Sequence, residues 1–384
     1  MDLEFSEDEA ALRDNVRDVL AGACPPSLVR GVYEGKDETS GLWDRLVQLD
    51  WPALAVDEDL GGLGLGFVEV AIVAEELGRA VAPGPFLATV TQFVPTVREL
   101  GSRAHHEQLL TAVASGRTGT LALTENGSWD PARVRATARR SGDEWVLSGS
   151  KASVLDGDTA AEVVVIARAE GTHGTDGLGA FVVEGSALSS VHRPSVDATL
   201  RIADLALDGV RVPADRVLAE PGSDGVAVRL RRALDEATIA VAVSTVGTCR
   251  RILEMTIDYA KVREQYGRPI GSFQALKHRM AEMYLAVERA TALAYYAALT
   301  VAEDDPRRSE AASLAKAAAS DCQRLVAQDG LQLHGGIGYT WEHDLHFFLK
   351  RAKAGEGLLG TGAAHRVELA RLIGLASTAT SGKG

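Results

Sequence analysis

The hydrophobic pattern of this chain changes period twice, and that double switch limits the folds open to it more than any single motif. Up to about Gly116 the apolar residues recur at helical spacing. Ala10, Leu12, Val16 and Leu20 line one side of a first segment, which Ser6 and Glu9 open as a capping box. Ser40 caps a further segment with Leu42, Leu46 and Leu49 on one face, and the run from Phe67 to Leu77 is apolar almost all round, as a central helix should be. From about Arg117 the period becomes two: Thr120, Ala122 and Thr124, then Val134, Ala136 and Ala138, then Trp145, Leu147 and Gly149 alternate as short strands do. Val163 to Ile166, Phe181 to Val183 and Leu205 to Val212 continue the series. Beyond Pro221-Gly222 the helical period returns and holds nearly to the end. The expected architecture is an all-α N-terminal domain over 1–116, a middle β-sandwich or barrel over 117–221, and a C-terminal four-helix bundle over 222–384 with a small, polar, frayed tail from Ser377.

Two glycine-rich corners interrupt the C-terminal helices. In the first, from Tyr259 to Gln274, Gly267 and Pro269 stop one helix, and Ser272 is expected to cap the next. The free N–H groups and dipole of that second helix favour an anion, and Arg263 and Arg268 bracket the place. In the second corner, from Gln332 to Tyr339, three glycines in four positions let backbone approach a ligand closely. Two such corners in one helical region suit an extended phosphorylated cofactor.

Arg263-Glu264-Gln265-Tyr266-Gly267, then Phe273-Gln274, then Gln332 to Tyr339 resemble, in order and spacing, the matching segments of the acyl-CoA dehydrogenase family. The resemblance runs over nearly the whole chain. It implies FAD as cofactor and the oxidation of an acyl-CoA thioester to its trans-2-enoyl product, with a glutamate taking the proton next to the carbonyl and flavin N5 taking the hydride. It assigns cofactor contacts to Arg263, Gln265, Tyr266, Phe273, Gln274, Gln332, His334, Gly335, Gly336 and Thr361, with Thr124 and Ser128 in the β-domain. Asp235 and Gly360 fall at substrate positions.

The chain departs from the family where the chemistry happens. The usual glutamate position is Leu359, and the alternative position on the long helix is Ala237. Glu236 is a weak candidate, since one residue is about 100° of helix rotation away, and Glu356 has the same difficulty. At the flavin ring the family's Trp-Ile-Thr reads Ser153-Val154-Leu155 here, and the loop after Thr124-Glu125 is altered. Family members place each flavin across a subunit interface. A chain that keeps the diphosphate corners but not the ring seat or base therefore resembles one subunit of a hetero-oligomeric bacterial acyl-CoA dehydrogenase. Two other readings remain open: a flavin monooxygenase on the same fold, taking FMN and needing no base, and a catalytically silent acyl-CoA-binding or scaffold subunit. The sequence names neither the acyl chain nor the electron acceptor.

Composition narrows the partners. A formal net charge of −13 disfavours nucleic acid and anionic membranes. Three scattered cysteines, Cys24, Cys249 and Cys322, suggest neither a disulfide framework nor a metal site, and an acidic amino terminus is unlike a signal peptide. A cytoplasmic protein is the expectation. The longest uncharged stretch, Ala237 to Cys249, is too short to span a bilayer and reads as a buried helix.

Overall fold

The computed structural model describes residues 4–36 and 40–375; the frayed tail expected from Ser377 lies outside the described residues, as does the side chain on which the capping role expected of Ser40 depends. The first helix, α1 (Glu7–Ala23), begins with the capping box: Ser6 Oγ accepts from the Glu9 N–H at 3.2 Å, and the Glu9 carboxylate accepts from the Ser6 N–H at 2.7 Å. It is followed by α2 (Pro26–Tyr33) and α3 (Ser40–Gln48). Then comes α4 (Phe67–Arg79), in which every residue from Val70 to Gly78 is buried. A helical stretch over 86–100 ends in α5 (Val94–Leu100).

The middle strands join one curved mixed sheet of eight: β1 (Gly119–Ala122), β2 (Thr137–Ser141), β3 (Glu144–Leu155), β4 (Glu162–Ala169), β5 (Leu178–Glu184), β6 (Ser189–Arg193), β7 (Ile202–Pro213) and β8 (Val217–Ala219). The order is β6-β7-β3-β2-β4-β5-β8, with β1 beside β4. Among the described strands only β1–β4 and β2–β4 pair in parallel. A β-bulge between Lys151 and Val154 bends β3 and leaves Ser153 at a φ of +55°.

The C-terminal part is built on α6 (Val226–Val262), α7 (Gln274–Ala302) and α8 (Arg308–His334), with the fourth position of the bundle filled by two shorter helices, α9 (Leu345–Gly357) and α10 (Gly362–Leu372). The uncharged stretch from Ala237 to Cys249 is buried throughout, inside α6. Among the described residues no helix is long and apolar enough to cross a membrane.

A buried charged cluster ties the three parts together. Asp197, wholly buried in the loop before β7, accepts from Tyr33 Oη at 2.9 Å and from Arg351 Nε of α9 at 2.5 Å, and Arg351 also donates to the Ala82 carbonyl at 3.0 Å. Each of the two charges offsets the other's desolvation, so removing one partner would cost several kcal/mol, of order 3–5. The clamp thus joins α2, the loop before β7 and α9.

Candidate active site and cofactor corner

α6 ends at Arg263, where the backbone turns extended, and the chain forms a two-residue hairpin in which Gln265 pairs with Arg268. Tyr266 and Gly267, at φ values of +55° and +75°, make the tight turn, whose two positive φ angles match the strand twist. α7 then starts at Gln274. Its N-cap position is held by Phe273, and Ser272 sits one residue earlier in a 3-10 turn, so the expected Ser272 cap is not formed. The chain needs Ser272 helical there because Phe273 N–H closes on the Ile270 carbonyl at 3.1 Å. The consequence is a buried Ser272 hydroxyl with no hydrogen-bond partner.

The second corner lies against the first. Tyr259, one turn before the end of α6, stacks on His334 at 4.7 Å between ring centroids. His334 closes α8, where Gly335 at a φ of +64° turns the chain into a short 3-10 segment over Gly335–Tyr339. His334 Nδ1 bonds the Gly330 carbonyl at 2.7 Å, which leaves Nε2 as an acceptor, and burial pushes the imidazole pKa down. That Nε2 is also buried without a partner. Arg263, Gln265, Tyr266, Gln274, Gln332 and Gly336 are all exposed. No carboxylate among the described residues pairs with Arg263 or with Arg268, whose guanidinium lies 4.2 Å over the Phe273 ring.

The residues expected at the substrate end are arranged differently. Leu359, at a φ of +54°, packs against the apolar cluster under β1 and β5, and its carbonyl accepts from His365 Nε2 at 2.8 Å. Burial holds the His365 pKa down at about 4, so the ring is neutral, with Nδ1 facing Ser313 Oγ at 3.4 Å. Thr361 caps α10 by accepting from Ala364 N–H at 3.2 Å. The Trp129 indole lies parallel to His365 at 4.7 Å and directly over Gly360, so close that a methyl group on Gly360 would sit 2.2 Å from Trp129 Nε1. Ala237 is buried in the interior of α6. Glu236, beside it, is occupied: both oxygens accept from Arg98 Nη2 at 2.6 Å and Oε1 accepts from Arg308 Nη2 at 3.1 Å. Asp235 accepts from Arg231 Nε at 3.1 Å and Ser309 Oγ at 2.6 Å, and burial nonetheless raises its pKa. These two carboxylates tie α5, α6 and α8 together. Glu356 pairs with Lys353 at 2.5 Å on the surface of α9.

At the β-domain loop, Asn126-Gly127 forms a second tight turn with two positive φ angles, closed by reciprocal bonds between Glu125 and Ser128. Thr124 gives its carbonyl to the Ala152 N–H at 2.8 Å, and Ser128 Oγ accepts from the Asp130 N–H at 3.3 Å. The loop is anchored by a pair that sequence reasoning did not single out. Lys151 Nζ, wholly buried, meets Glu125 at 2.5 Å, and Glu125 also accepts from the Arg135 and Ala136 N–H groups. Burial lowers the Lys151 pKa to about 8, against the raising effect of Glu125. The retained Thr124-Glu125 and Lys151 were the available signal, since a buried lysine needs an acid beside it. Ser153 is exposed, while Val154 and Leu155 point into the core.

Arg263 and Arg268 without acids, two orphaned polar atoms and exposed glycine backbone fit the polar, anionic half of a dinucleotide. The other end, with Trp129 packed on Gly360 and no wall at Ser153, does not fit a flat ring and a thioester in the same subunit.

A helical domain, a mixed β-sheet and a helical bundle carrying these corners define an acyl-CoA dehydrogenase fold. The profile described as Acyl-CoA dehydrogenase, N-terminal domain matches residues 6–117, and that described as Acyl-CoA dehydrogenase, C-terminal domain matches residues 223–374. The chain belongs to the acyl-CoA dehydrogenase family, FAD-dependent oxidoreductases acting on CH–CH bonds. It is 32% identical over 358 residues to acyl-CoA dehydrogenase IpdE2 of Mycobacterium tuberculosis, covering 92% of this chain and 93% of the relative. Among solved structures it resembles the butyryl-CoA dehydrogenase of Megasphaera elsdenii, with a TM-score of 0.89 and 25% identity over 97% of this chain and all of that one. It also resembles a chain of the ChsE4-ChsE5 complex of Mycobacterium tuberculosis, with a TM-score of 0.87 and 27% identity over 98% of this chain and all of that one.

Proposed function

We propose that this chain is one subunit of a hetero-oligomeric acyl-CoA dehydrogenase, in which it grips the adenosine diphosphate half of an FAD whose ring sits in a sister subunit. One observation carries the reading: an unpaired basic corner coexists with a substrate seat that has no base and is covered by Trp129. The solved ChsE4-ChsE5 complex supports it, as a relative crystallised with a second, differently named chain.

FAD, when bound, supplies the hydride acceptor. In this subunit Arg263 and Arg268 would offset the diphosphate charge, Gln265, Gln274 and Gln332 would offer amide groups, and Gly335-Gly336 would let backbone N–H groups approach. Ser272 Oγ and His334 Nε2 would find the partners they lack. Tyr266, exposed beside Phe273, would cover the bound group from solvent. The proton next to the thioester carbonyl would be removed in the sister subunit, because Leu359 and Ala237 have no basic atom and Glu236 is held by two arginines. The same corners disfavour the monooxygenase alternative, since FMN lacks the adenosine diphosphate they fit. The silent scaffold reading differs in one respect only: it predicts no flavin contact.

The test is to co-express the chain with candidate sister subunits, then measure flavin content and acyl-CoA-dependent reduction of an artificial acceptor. Flavin that is retained by the complex and lost with Arg263→Ala supports the assignment. Full retention in that variant contradicts it.

A further inference from the structure

A cavity of about 790 Å³ opens between the N-terminal helices and the β-sheet. None of its lining residues belongs to the cofactor corner or to the covered seat around Gly360. Its apolar wall is made by Val32, Trp43, Pro83, Pro85 and Leu200. The Trp43 indole N–H is spent on the Gly116 carbonyl at 3.0 Å, so this residue presents only its ring. The volume falls within the roughly 300–1,000 Å³ of small-molecule sites.

At the sheet side of this cavity stands Asp156, 6% exposed. β3 ends one residue earlier, and Asp156 turns the chain at a φ of +53°. Its backbone is fully engaged: the N–H donates to the Arg201 carbonyl at 2.7 Å, and its carbonyl accepts from Thr159 and Ala160 at 3.0 and 2.8 Å. The carboxyl is not. No described residue donates a hydrogen bond to it, although the neighbouring Asp158 has taken Arg201 Nε at 2.9 Å and faces His192 Nδ1 at 3.3 Å. Other polar groups around the cavity are similarly spent. Thr118 Oγ1 accepts from the Ala161 N–H, Ser195 Oγ from the Asp197 N–H, and Thr199 Oγ1 is shared between Asp197 and Arg351.

A buried carboxyl without a partner costs about 1–3 kcal/mol, and native structures rarely leave one without a use. A largely apolar chamber whose buried wall carries a carboxyl without a described donor selects for shape and for a polar contact at that point. Arg201 and His192 also line the cavity, but Asp158 takes Arg201 Nε at 2.9 Å and faces His192 Nδ1 at 3.3 Å, which offsets the guanidinium charge and leaves Asp156, with the overall charge of −13, to disfavour an anion. Burial, with Asp158 adding to it, pushes Asp156 up to about 7, which lets the carboxyl either accept from or donate to a hydroxyl.

We propose that this cavity is a second ligand site, which takes an uncharged, mostly apolar ring compound bearing one hydroxyl, stacked near Trp43 and hydrogen-bonded to Asp156. The site is independent of the division of labour argued above, and stands or falls separately.

The experiment is a fluorescence titration of the purified full chain with 9-phenanthrol, phenanthrene and phenanthrene-9-carboxylate. The expected result is one equivalent of 9-phenanthrol bound about tenfold or more tightly than phenanthrene, the increment of one hydrogen bond to a buried carboxyl, and no binding of the carboxylate. Asp156→Ala should reduce the phenanthrol affinity to that of phenanthrene, Asp156→Asn should preserve most of it, and Leu200→Trp, which fills the chamber, should abolish binding of both. Circular dichroism checks that each variant is folded. Equal affinity for phenanthrol and phenanthrene in the wild type would overturn the proposal. So would phenanthrol binding that survives Leu200→Trp, or no binding by the folded wild type, which would leave only water at Asp156.

Discussion

Gly360 has no room for a side chain: its φ is +101°, and the Trp129 indole lies where a Cβ would go. Gly360→Ala should therefore destabilise the chain by about 2–4 kcal/mol, the sum of overpacking and an unfavourable backbone conformation. Trp129→Ala should relieve the packing part, so a double-mutant cycle read by denaturant unfolding should give a coupling of about 1 kcal/mol or more. Independent, additive effects would mean that Trp129 does not rest on Gly360. Asp156 gives a second residue-scale prediction. Its folded pKa, about 7, lies above the ordinary 3.8, so the folded chain keeps a proton that the unfolded chain has released. The stability associated with that proton is complete below about pH 4 and is lost as pH rises towards 7. Relative to wild type, Asp156→Asn should lose less thermal stability between pH 4 and 7; parallel melting profiles would contradict the assignment. At this scale the sequence was readable where a residue type alone carries the meaning. Leu359 and Ala237 have no basic atom in any fold. Trp129 was not readable, because its contact with Gly360 and His365 joins residues some 230 positions apart and no periodicity reports such a meeting. Glu236 was readable only as a candidate, since its neutralisation requires Arg98 and Arg308 from two other helices.

The crossing of α4 and α6 depends on a reciprocal pair of glycines. A Cβ on Gly78 would meet the Ser244 carbonyl oxygen at 2.0 Å, and one on Gly247 would meet the Glu75 carbonyl oxygen at 2.0 Å. Thr248 Oγ1 bonds the Gly78 carbonyl at 2.9 Å across the same contact. Backbone cannot yield as a side-chain tip can, so Gly247→Ala should cost about 1–3 kcal/mol in chemical denaturation despite its better helix propensity. An unchanged or raised unfolding midpoint would refute the close crossing. The small residues from Ala240 to Gly247 announce this packing in the sequence, as does the all-round apolar run that became α4. The β-domain was less evenly legible. Alternation marked β1, β2 and β3, the apolar runs Val163 to Ile166 and Phe181 to Val183 marked β4 and β5, which are buried on both faces, and Leu205 to Val212 marked β7. β6 went unnoticed because Ser189–Arg193 is exposed at every position, an edge strand with no buried face to imprint a pattern, and β8 is only three residues long. The Ser272 cap failed for a local reason: residue type suggests a capper, but the 3-10 turn before α7 decides where the helix starts.

Across the whole molecule, the two ends of the proposed cofactor path have opposite character. The corner expected to take the diphosphate is exposed, basic and incompletely hydrogen-bonded, whereas at the end expected to take ring and thioester Trp129 lies over Gly360 and Ser153 stands exposed. The period switches made the three-part architecture legible, and the motif spacing made the family legible. The contact of Trp129 with Gly360 and His365 was not, because it arises from packing among the β-domain, the α9–α10 loop and α10. A charge-assisted contact to phosphate makes Arg263→Ala worth about a tenfold to a hundredfold loss in flavin affinity of the assembled oligomer, read by equilibrium dialysis. Arg263→Lys should recover part of it, as a point charge without the planar fork. The central claim, that this chain holds one end of a cofactor and leaves the chemistry to another subunit, is tested most directly by measuring flavin per chain and acyl-CoA turnover with an artificial acceptor, for the chain alone and for the co-purified complex. The account predicts little flavin and no turnover alone, with both appearing in the complex. A full flavin complement with brisk turnover by the isolated chain, abolished by Glu236→Gln, would contradict it.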